Sequence, residues 1–332
     1  MSVAQRRRAR WHSSGGLALL LLLNGCDRAP PQSIALEGRP GGPQRLTLTI
    51  AHATPTPSDT ATLTYQMTES ASGAPVQHLQ ITHERVLHTF IVARDFSTFA
   101  HIHHEDFQTL TAADLGAATF HFPYRFPHPG RYRIVTEYVY HDRSWLKQFD
   151  FTVGAQTPAA PLHIDLSRTR SVGAYTAALT VSPNPPIAGH AAELVLHLTR
   201  HGAPVANLQL LLGAETHVAI WRSDGEEFGH THSYTPEMAT LMEHMRGMAH
   251  DPAEMSAMMM TMMSTKPKLV YPGPDIPVRY QFPTPGLYQV FMQTAPGGAT
   301  TVFGFMLEVQ ADAAGVNTQM HSIVPIELDS PR

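Results

Sequence analysis

His217-Val218-Ala219-Ile220-Trp221-Arg222-Ser223-Asp224-Gly225-Glu226-Glu227-Phe228-Gly229-His230-Thr231-His232 is the stretch whose reading decides the fold. Two runs rich in β-branched and aromatic residues flank Asp224-Gly225, a strong signal for a two-residue hairpin turn. Setting Ser223 opposite Glu226 puts His217 opposite His232, and His230 opposite Ala219. Side chains alternate faces along a strand, so His217, His230 and His232 project from one face. Directly opposite residues have Cβ atoms ~4.5–5.5 Å apart, near enough for imidazoles to share an ion.

Working outward, the same pattern stands earlier in the chain. Gly73-Ala74-Pro75-Val76 matches Gly202-Ala203-Pro204-Val205 at an offset of 129. At that offset His88, Asp95, Phe99, His101 and His103 fall on His217, Asp224, Phe228, His230 and His232. Phe126-Pro127-His128-Pro129-Gly130-Arg131-Tyr132 matches Phe282-Pro283-Thr284-Pro285-Gly286-Leu287-Tyr288 at an offset of 156, which holds to Val153 and Val309. The offset thus grows by 27 residues between the histidine pair and the Pro-Gly turn of the second copy. An internal repeat of this kind defines the architecture before any single motif does. In the first copy, equivalent pairing about Asp95-Phe96 sets His88 opposite His103 with His101 beside them.

Around both copies the text consists of short runs rich in Val, Ile, Thr, Tyr and Phe, punctuated by Pro, Gly and Asp. Leu46-Thr47-Leu48-Thr49-Ile50 alternates with period two. The expected fold is all-β: two tandem Ig-like β-sandwich domains, over 45–155 and 172–310. A linker at 156–171 separates them, and a tail follows at 311–332. The 27 extra residues fall within about 235–266 and include Met238, Met242, Met245, Met248, Met255, Met258, Met259, Met260, Met262 and Met263. Thr235-Pro236-Glu237 and Asp251-Pro252-Ala253-Glu254 read as helix starts. The methionines recur at helical spacing, so a Met-rich α-helical hairpin is expected as an insertion in the second domain.

The shared order of His, then Asp and Phe, then His-x-His, then Phe-Pro-x-Pro-Gly-x-Tyr resembles the small secreted Ig-like domains of the YtkA-like type. The resemblance covers roughly 73–153 and 202–309. It implies an Ig-like fold and a connection with copper handling, but no activity. A proline commonly follows His-x-His in that family, and His104 and Ser233 stand at that place here.

Three imidazoles on one face suit Cu(II), Zn or Ni with a coordination position left open. The competing reading turns that face into the sandwich, with the histidines bonded to backbone or to Asp95 and Asp224. Methionine stripes are ordinarily packing, but this insertion carries only Leu241 among the usual core aliphatics. Thioethers near His244 and His250 suit Cu(I). The candidate metal ligands are therefore His88, His101, His103, His217, His230 and His232, with the methionines as a soft set. Copper, as Cu(I) or Cu(II), is the expected metal, and zinc is the other candidate. His83-Glu84 and His88 lack the zinc-protease spacing. His104, His121, His128 and His141 have no counterpart in the second copy and read as surface or packing residues.

The N-terminus points to export. Arg6, Arg7, Arg8 and Arg10 precede the apolar run Leu17–Leu23, which is shorter than the ~20 residues of a spanning helix. Leu23-Asn24-Gly25-Cys26 resembles the lipobox of bacterial lipoproteins, which makes Cys26 the lipidation site and 1–26 the signal. A Pro/Gly-rich tether follows at 27–44. The expected location is the periplasmic face of a bacterial membrane, inner or outer, with copper-transport or copper-delivery proteins as candidate partners. A net charge of −4 and 15% charged residues argue against a nucleic-acid partner. With 21 His, 15 Met and a single Cys, a blue-copper centre is disfavoured, because the mature domains hold no cysteine. No nucleophile–base pair, phosphate loop or paired catalytic carboxylates stand out, so no enzyme is expected. The two functional readings are a metal-binding lipoprotein (chaperone, buffer or sensor) and an Ig-like adhesion or scaffold module whose Met-rich arm grips a partner.

Overall fold

The structure is a computed structural model, and it describes residues 33–51, 59–154, 162–233 and 268–313. The signal with Cys26 and the Met-rich segment lie outside the described residues. No helix among the described residues is long and apolar enough to cross a membrane.

The first domain is built from β1 (Ile34–Glu37), β2 (Gln44–Ile50), β3 (Thr60–Glu69), β4 (Leu79–Gln80), β5 (His88–Ala93), β6 (Phe99–Ile102), β7 (Thr119–Arg125), β8 (Gly130–Tyr140) and β9 (Arg143–Val153). One antiparallel sheet runs β1-β2-β3-β7; the other runs β4-β8-β5-β6, with β9 on β8. β2 and β3 alternate buried and outward residues. Leu46, Leu48, Ile50, Leu63, Tyr65 and Met67 meet Ile91, Ile134, Phe149 and Phe151 of the facing sheet in one core. The first sheet takes in Ile34–Glu37, inside the stretch read as tether, because this strand pairs with Thr47–Ile50.

The second domain repeats the plan with β10 (Thr169–Val172), β11 (Tyr175–Ser182), β12 (Ala191–Arg200), β13 (Ala203–Pro204), β14 (Leu208–Gln209), β15 (Thr216–Arg222), β16 (Phe228–His232), β17 (Asp275–Gln281), β18 (Gly286–Pro296) and β19 (Thr301–Val309). Its sheets run β10-β11-β12-β13 with β17 on β12, and β14-β18-β15-β16 with β19 on β18. Leu194, Leu196, Val218, Ile220, Val290 and Phe305 share its core.

The expected fold class needs correction in one respect. The only helices among the described residues are the short η1 (His104–Asp106) and α1 (Ala112–Ala117), both in the first domain. Among the described residues the fold is therefore all-β with no helical hairpin insertion, and the segment assigned to it falls outside them. Capping patterns and a methionine stripe set only local preferences. An isolated helix shorter than ~12–15 residues is marginal in water, so such signals alone do not establish an element.

β5 and β15 are buried on both faces, and this determines where the histidines go. Ile91, Val218 and Ile220 turn into their own sandwiches. The opposite faces carry Phe90, Val92 and Val135 from the first domain and Ala219, Trp221 and Phe291 from the second, and these residues form a third apolar cluster shared by both domains. Phe99 stacks on Phe291 with ring centroids 4.5 Å apart. The histidine faces thus look neither into a sandwich core nor into water, but at each other.

Candidate metal centre

In the first copy, Phe90 pairs with His101 across β5 and β6, a register that sets His88 opposite His103. Three ring nitrogens converge. His88 Nδ1 lies 3.3 Å from His101 Nε2 and 3.2 Å from His103 Nε2, and the two Nε2 atoms are 3.0 Å apart. These three residues are a group able to hold a metal ion. An ion ~2.0–2.1 Å from each nitrogen would subtend N–metal–N angles of roughly 95–110°, close to tetrahedral with one position left over.

The far side of each ring is tied to an oxygen. His88 Nε2–H donates to the Thr82 carbonyl (3.0 Å), His103 Nδ1–H to Asp106 Oδ2 (2.8 Å) and His101 Nδ1–H to Gln293 Oε1 (3.0 Å). A neutral imidazole has one N–H, and spending it on the outer oxygen leaves the inner nitrogen as a lone pair. All three lone pairs therefore face one another with no proton between them. Oxygen partners of this kind fix the tautomer and orientation of metal-binding histidines. η1 turns Asp106 back beneath His103, and Arg85 holds that carboxylate at 3.1 Å.

The second copy pairs His217 with His232 and Ala219 with His230, the pairing obtained by setting Ser223 opposite Glu226. The turn itself is not the two-residue type. Arg222 N–H reaches the Glu227 carbonyl and Gly225 N–H the Arg222 carbonyl, which makes a four-residue loop. Only Gly225 takes positive φ, at 78°, whereas the two-residue turn would require it of Asp224 as well. Asp224 instead accepts from Glu226 N–H, as Asp95 does from Ser97 N–H. The repeated aspartates shape the turns and do not touch the histidines.

His217 Nδ1 and His230 Nε2 stand 3.3 Å apart. His217 Nε2–H donates to the Leu211 carbonyl (2.8 Å), His230 Nδ1–H to Glu137 Oε2 (2.8 Å) and His232 Nδ1–H to the Ser233 carbonyl (3.1 Å). His232 stands farther out than its counterpart: the His230–His232 ring centroids are 6.4 Å apart, against 4.4 Å for His101–His103.

The two triads adjoin. His101 lies 5.7 Å from His217 and His88 lies 5.8 Å from His230, centroid to centroid. Gln293 of the second domain orients His101 of the first, and Glu137 of the first orients His230 of the second. Glu137 and Gln293 correspond at the offset of 156 and sit beside His88 and His217 on β8 and β18. Reciprocal contacts between equivalent positions are the mark of a two-fold arrangement.

Electrostatics oppose protonation of His83, His88, His101, His103, His217 and His232. Burial, followed by neighbouring imidazoles, pushes His88, His101 and His217 well below 6.5. Burial lowers His103 too, with Asp106 opposing. His232 falls to about 4 and His83 to about 3, both chiefly by burial.

Sequence reading missed His83, Asp106, Glu137 and Gln293. The signal for the last two was the repeat offset, which equates them; for Asp106 it was the i+3 spacing from His103. His83 has no histidine counterpart, since Leu212 occupies its place. Of the histidines read as packing or surface, His104 is fully buried and bonds the His121 carbonyl, while His121, His128 and His141 are exposed. The candidate methionine ligands Met238, Met242, Met245, Met248, Met255, Met258, Met259, Met262 and Met263 lie outside the described residues.

A family model described as a domain of unknown function (DUF8832) matches residues 42–155 and again 170–311. No curated protein matches the chain. Among solved structures, the chain is similar to dimeric latent PorU from Porphyromonas gingivalis, at 13% identity and a TM-score of 0.21. That match covers 86% of this chain and 21% of that one. A second similarity is to a structure described as "Putative membrane anchored protein from Corynebacterium diphtheriae", at 9% identity and a TM-score of 0.21, covering 82% and 59%. The chain thus spans about a fifth and about three fifths of the two proteins.

Proposed function

This chain belongs to the DUF8832 family, which it matches once with each of its two domains, and we propose that it is an exported, lipid-anchored metal-binding protein that holds copper as a buffer or delivery protein. The observation that carries this reading is the set of three unprotonated imidazole nitrogens facing one another at 3.0–3.3 Å. Nothing in a scaffold or adhesion role would call for three lone pairs aimed at one point inside an apolar contact. Desolvation disfavours a proton there, and a divalent or soft monovalent cation supplies the missing positive charge by coordination.

Copper is favoured over zinc by the sequence that follows the second His-x-His pair. The methionine-rich segment leaves the described fold just after His232 and Ser233. Its return is fastened where Val270 N–H bonds Glu215 Oε1 (2.6 Å), two residues before His217. Ten thioethers in the sequence between Ser233 and Lys268 supply the soft donors that Cu(I) prefers. The basic, apolar and Cys26 pattern of the N-terminus supports an anchored location where copper is handled without a cytosolic thiol pool.

The test is metal retention by the full chain purified in detergent. Loaded with Cu(II), or with Cu(I) under reductant, it should retain copper through dialysis. The His88→Ala/His101→Ala/His103→Ala variant should bind Cu(II) at that triad at least ~100-fold more weakly and so lose one retained equivalent, since ligands rather than merely their oxygen partners are removed. Wild-type protein that retains neither copper nor zinc would overturn the reading.

A further inference from the structure

The copy-two histidines are spread too far to close as the first triad does, and a seventh imidazole fills the gap. His83 stands on a tight turn in which Thr82 and Arg85 exchange backbone hydrogen bonds, with positive φ at His83 (47°) and Glu84 (66°). Leu211–Ala214 makes the same turn in the second domain, with positive φ at Leu212 and Gly213. The two turns supply equivalent carbonyls, Thr82 to His88 and Leu211 to His217. Only the first presents an imidazole, and it presents that imidazole to the other domain. The His83 ring lies 4.6 Å from His232 and 5.8 Å from His217, centroid to centroid. The His232 spacing falls within the 4.4–5.5 Å of the first triad. The His217 spacing, like His217–His232 (5.9 Å) and His230–His232 (6.4 Å), is wider, so these rings must draw inward to share an ion, whereas His88, His101 and His103 already stand as a ligand group. Neither nitrogen of His83 nor Nε2 of His232 meets a hydrogen-bond partner among the described residues, while the His217 and His230 lone pairs face each other at 3.3 Å.

We propose that His83 of the first domain joins His217, His230 and His232 as ligands of a second divalent transition-metal ion, so that this metal site spans the contact between the domains. The inference rests on the metal-binding reading above and deepens it. The chain then carries two unlike positions. The first, His88, His101 and His103, keeps an open coordination place suited to exchange. The second is a four-imidazole site closed by a ligand from each side of the interface.

Titration of the full chain in detergent with Zn(II), against a chelating indicator, tests this, because zinc has little affinity for thioethers and so leaves the methionines out of the count. Wild type should bind two ions. His83→Asn should bind the first unchanged and the second at least ~100-fold more weakly, and His101→Ala should lose the first while keeping the second. Asn tolerates positive φ, and His83→Leu reproduces the residue the second domain carries at that turn, so at least one of the pair should retain the wild-type apo melting temperature. One ion in wild type, or two with unchanged affinities in the folded His83 variant, overturns the second site alone. No ion in wild type overturns the metal-binding reading as well.

Discussion

An imidazole buried among imidazoles stays neutral because protonating it would place a charge in a poorly hydrated cavity beside other would-be cations. The consequence for stability has a definite sign. Unfolded, each of these histidines takes up a proton near pH 6.5; folded, His83 resists to about 3 and His232 to about 4, with His88, His101 and His217 also well below 6.5. Above pH 6.5 neither state binds the proton and there is no penalty. Below it the unfolded chain gains protons that the folded chain refuses, and each group costs up to about 1.4 kcal/mol per pH unit. The metal-free protein should therefore hold a level denaturant midpoint from pH 8 to 7 and lose stability steeply from 6.5 toward 4.5. Replacing His101 by Leu should flatten that slope. A midpoint unchanged between pH 7 and 5 would mean that the folded cluster accepts protons and that the lone pairs do not face one another.

At the scale of single elements, the hairpins were legible because alternation and a central turn signal constrain register strongly. His217 against His232 followed from Asp224-Gly225 even though the turn formed was a four-residue loop, since both loops leave the same residues opposite each other. What the local pattern could not convey is which side of β15 is the sandwich core. Val218 and Ile220 on one face, and Ala219 and Trp221 on the other, are equally apolar, and only the second domain–domain surface explains both. The turn at Thr82–Arg85 was opaque for a different reason. Nothing in Thr82-His83-Glu84-Arg85 resembles the Asn-Gly or Asp-Gly expected where two residues need positive φ. Glu84 at φ 66° is a poor occupant of that conformation, and its counterpart Gly213 a good one. Glu84→Gly should therefore stabilise the first domain by roughly 0.5–1 kcal/mol, the left-handed penalty less the entropy cost of glycine. The Glu84–Arg85 ion pair that it removes is long (3.9 Å), with the carboxylate side exposed, and such a pair contributes little. Chemical denaturation of the two proteins checks this, and a destabilised glycine variant would show that the turn depends on the glutamate side chain.

For the whole molecule, the repeat foretold two like domains but not their embrace, because docking depends on which residues share outer faces once both sheets exist. Phe90, Phe96, Phe99 and Leu146 meet Trp221, Phe228, Phe291 and Val302 beside the histidines. Arg94 adds a hydrogen bond to the Asp224 carbonyl (2.9 Å), and Arg133 one to the Gly225 carbonyl. This contact also aims the ligands, since Gln293 and Glu137 reach across it to His101 and His230. Domain docking and metal binding are therefore linked, and each must strengthen the other by the same free energy. Trp221 is the residue with which to test the linkage, for it is fully buried at the centre of the contact and touches no histidine ring. Trp221→Ala should cost about 3–5 kcal/mol, with the loss concentrated where the domains meet. Loss of the cross-domain oxygen partners should then weaken Zn(II) binding by ~10–100-fold, although every ligand is still present. Saturating zinc should in turn recover part of the lost stability, about 2.7 kcal/mol at a hundred times the dissociation constant. Thermal melts with and without zinc, together with a zinc titration of the variant, measure both sides. A variant that melts lower yet binds zinc with wild-type affinity would mean that each domain aims its own histidines and that the contact between them plays no part in the site.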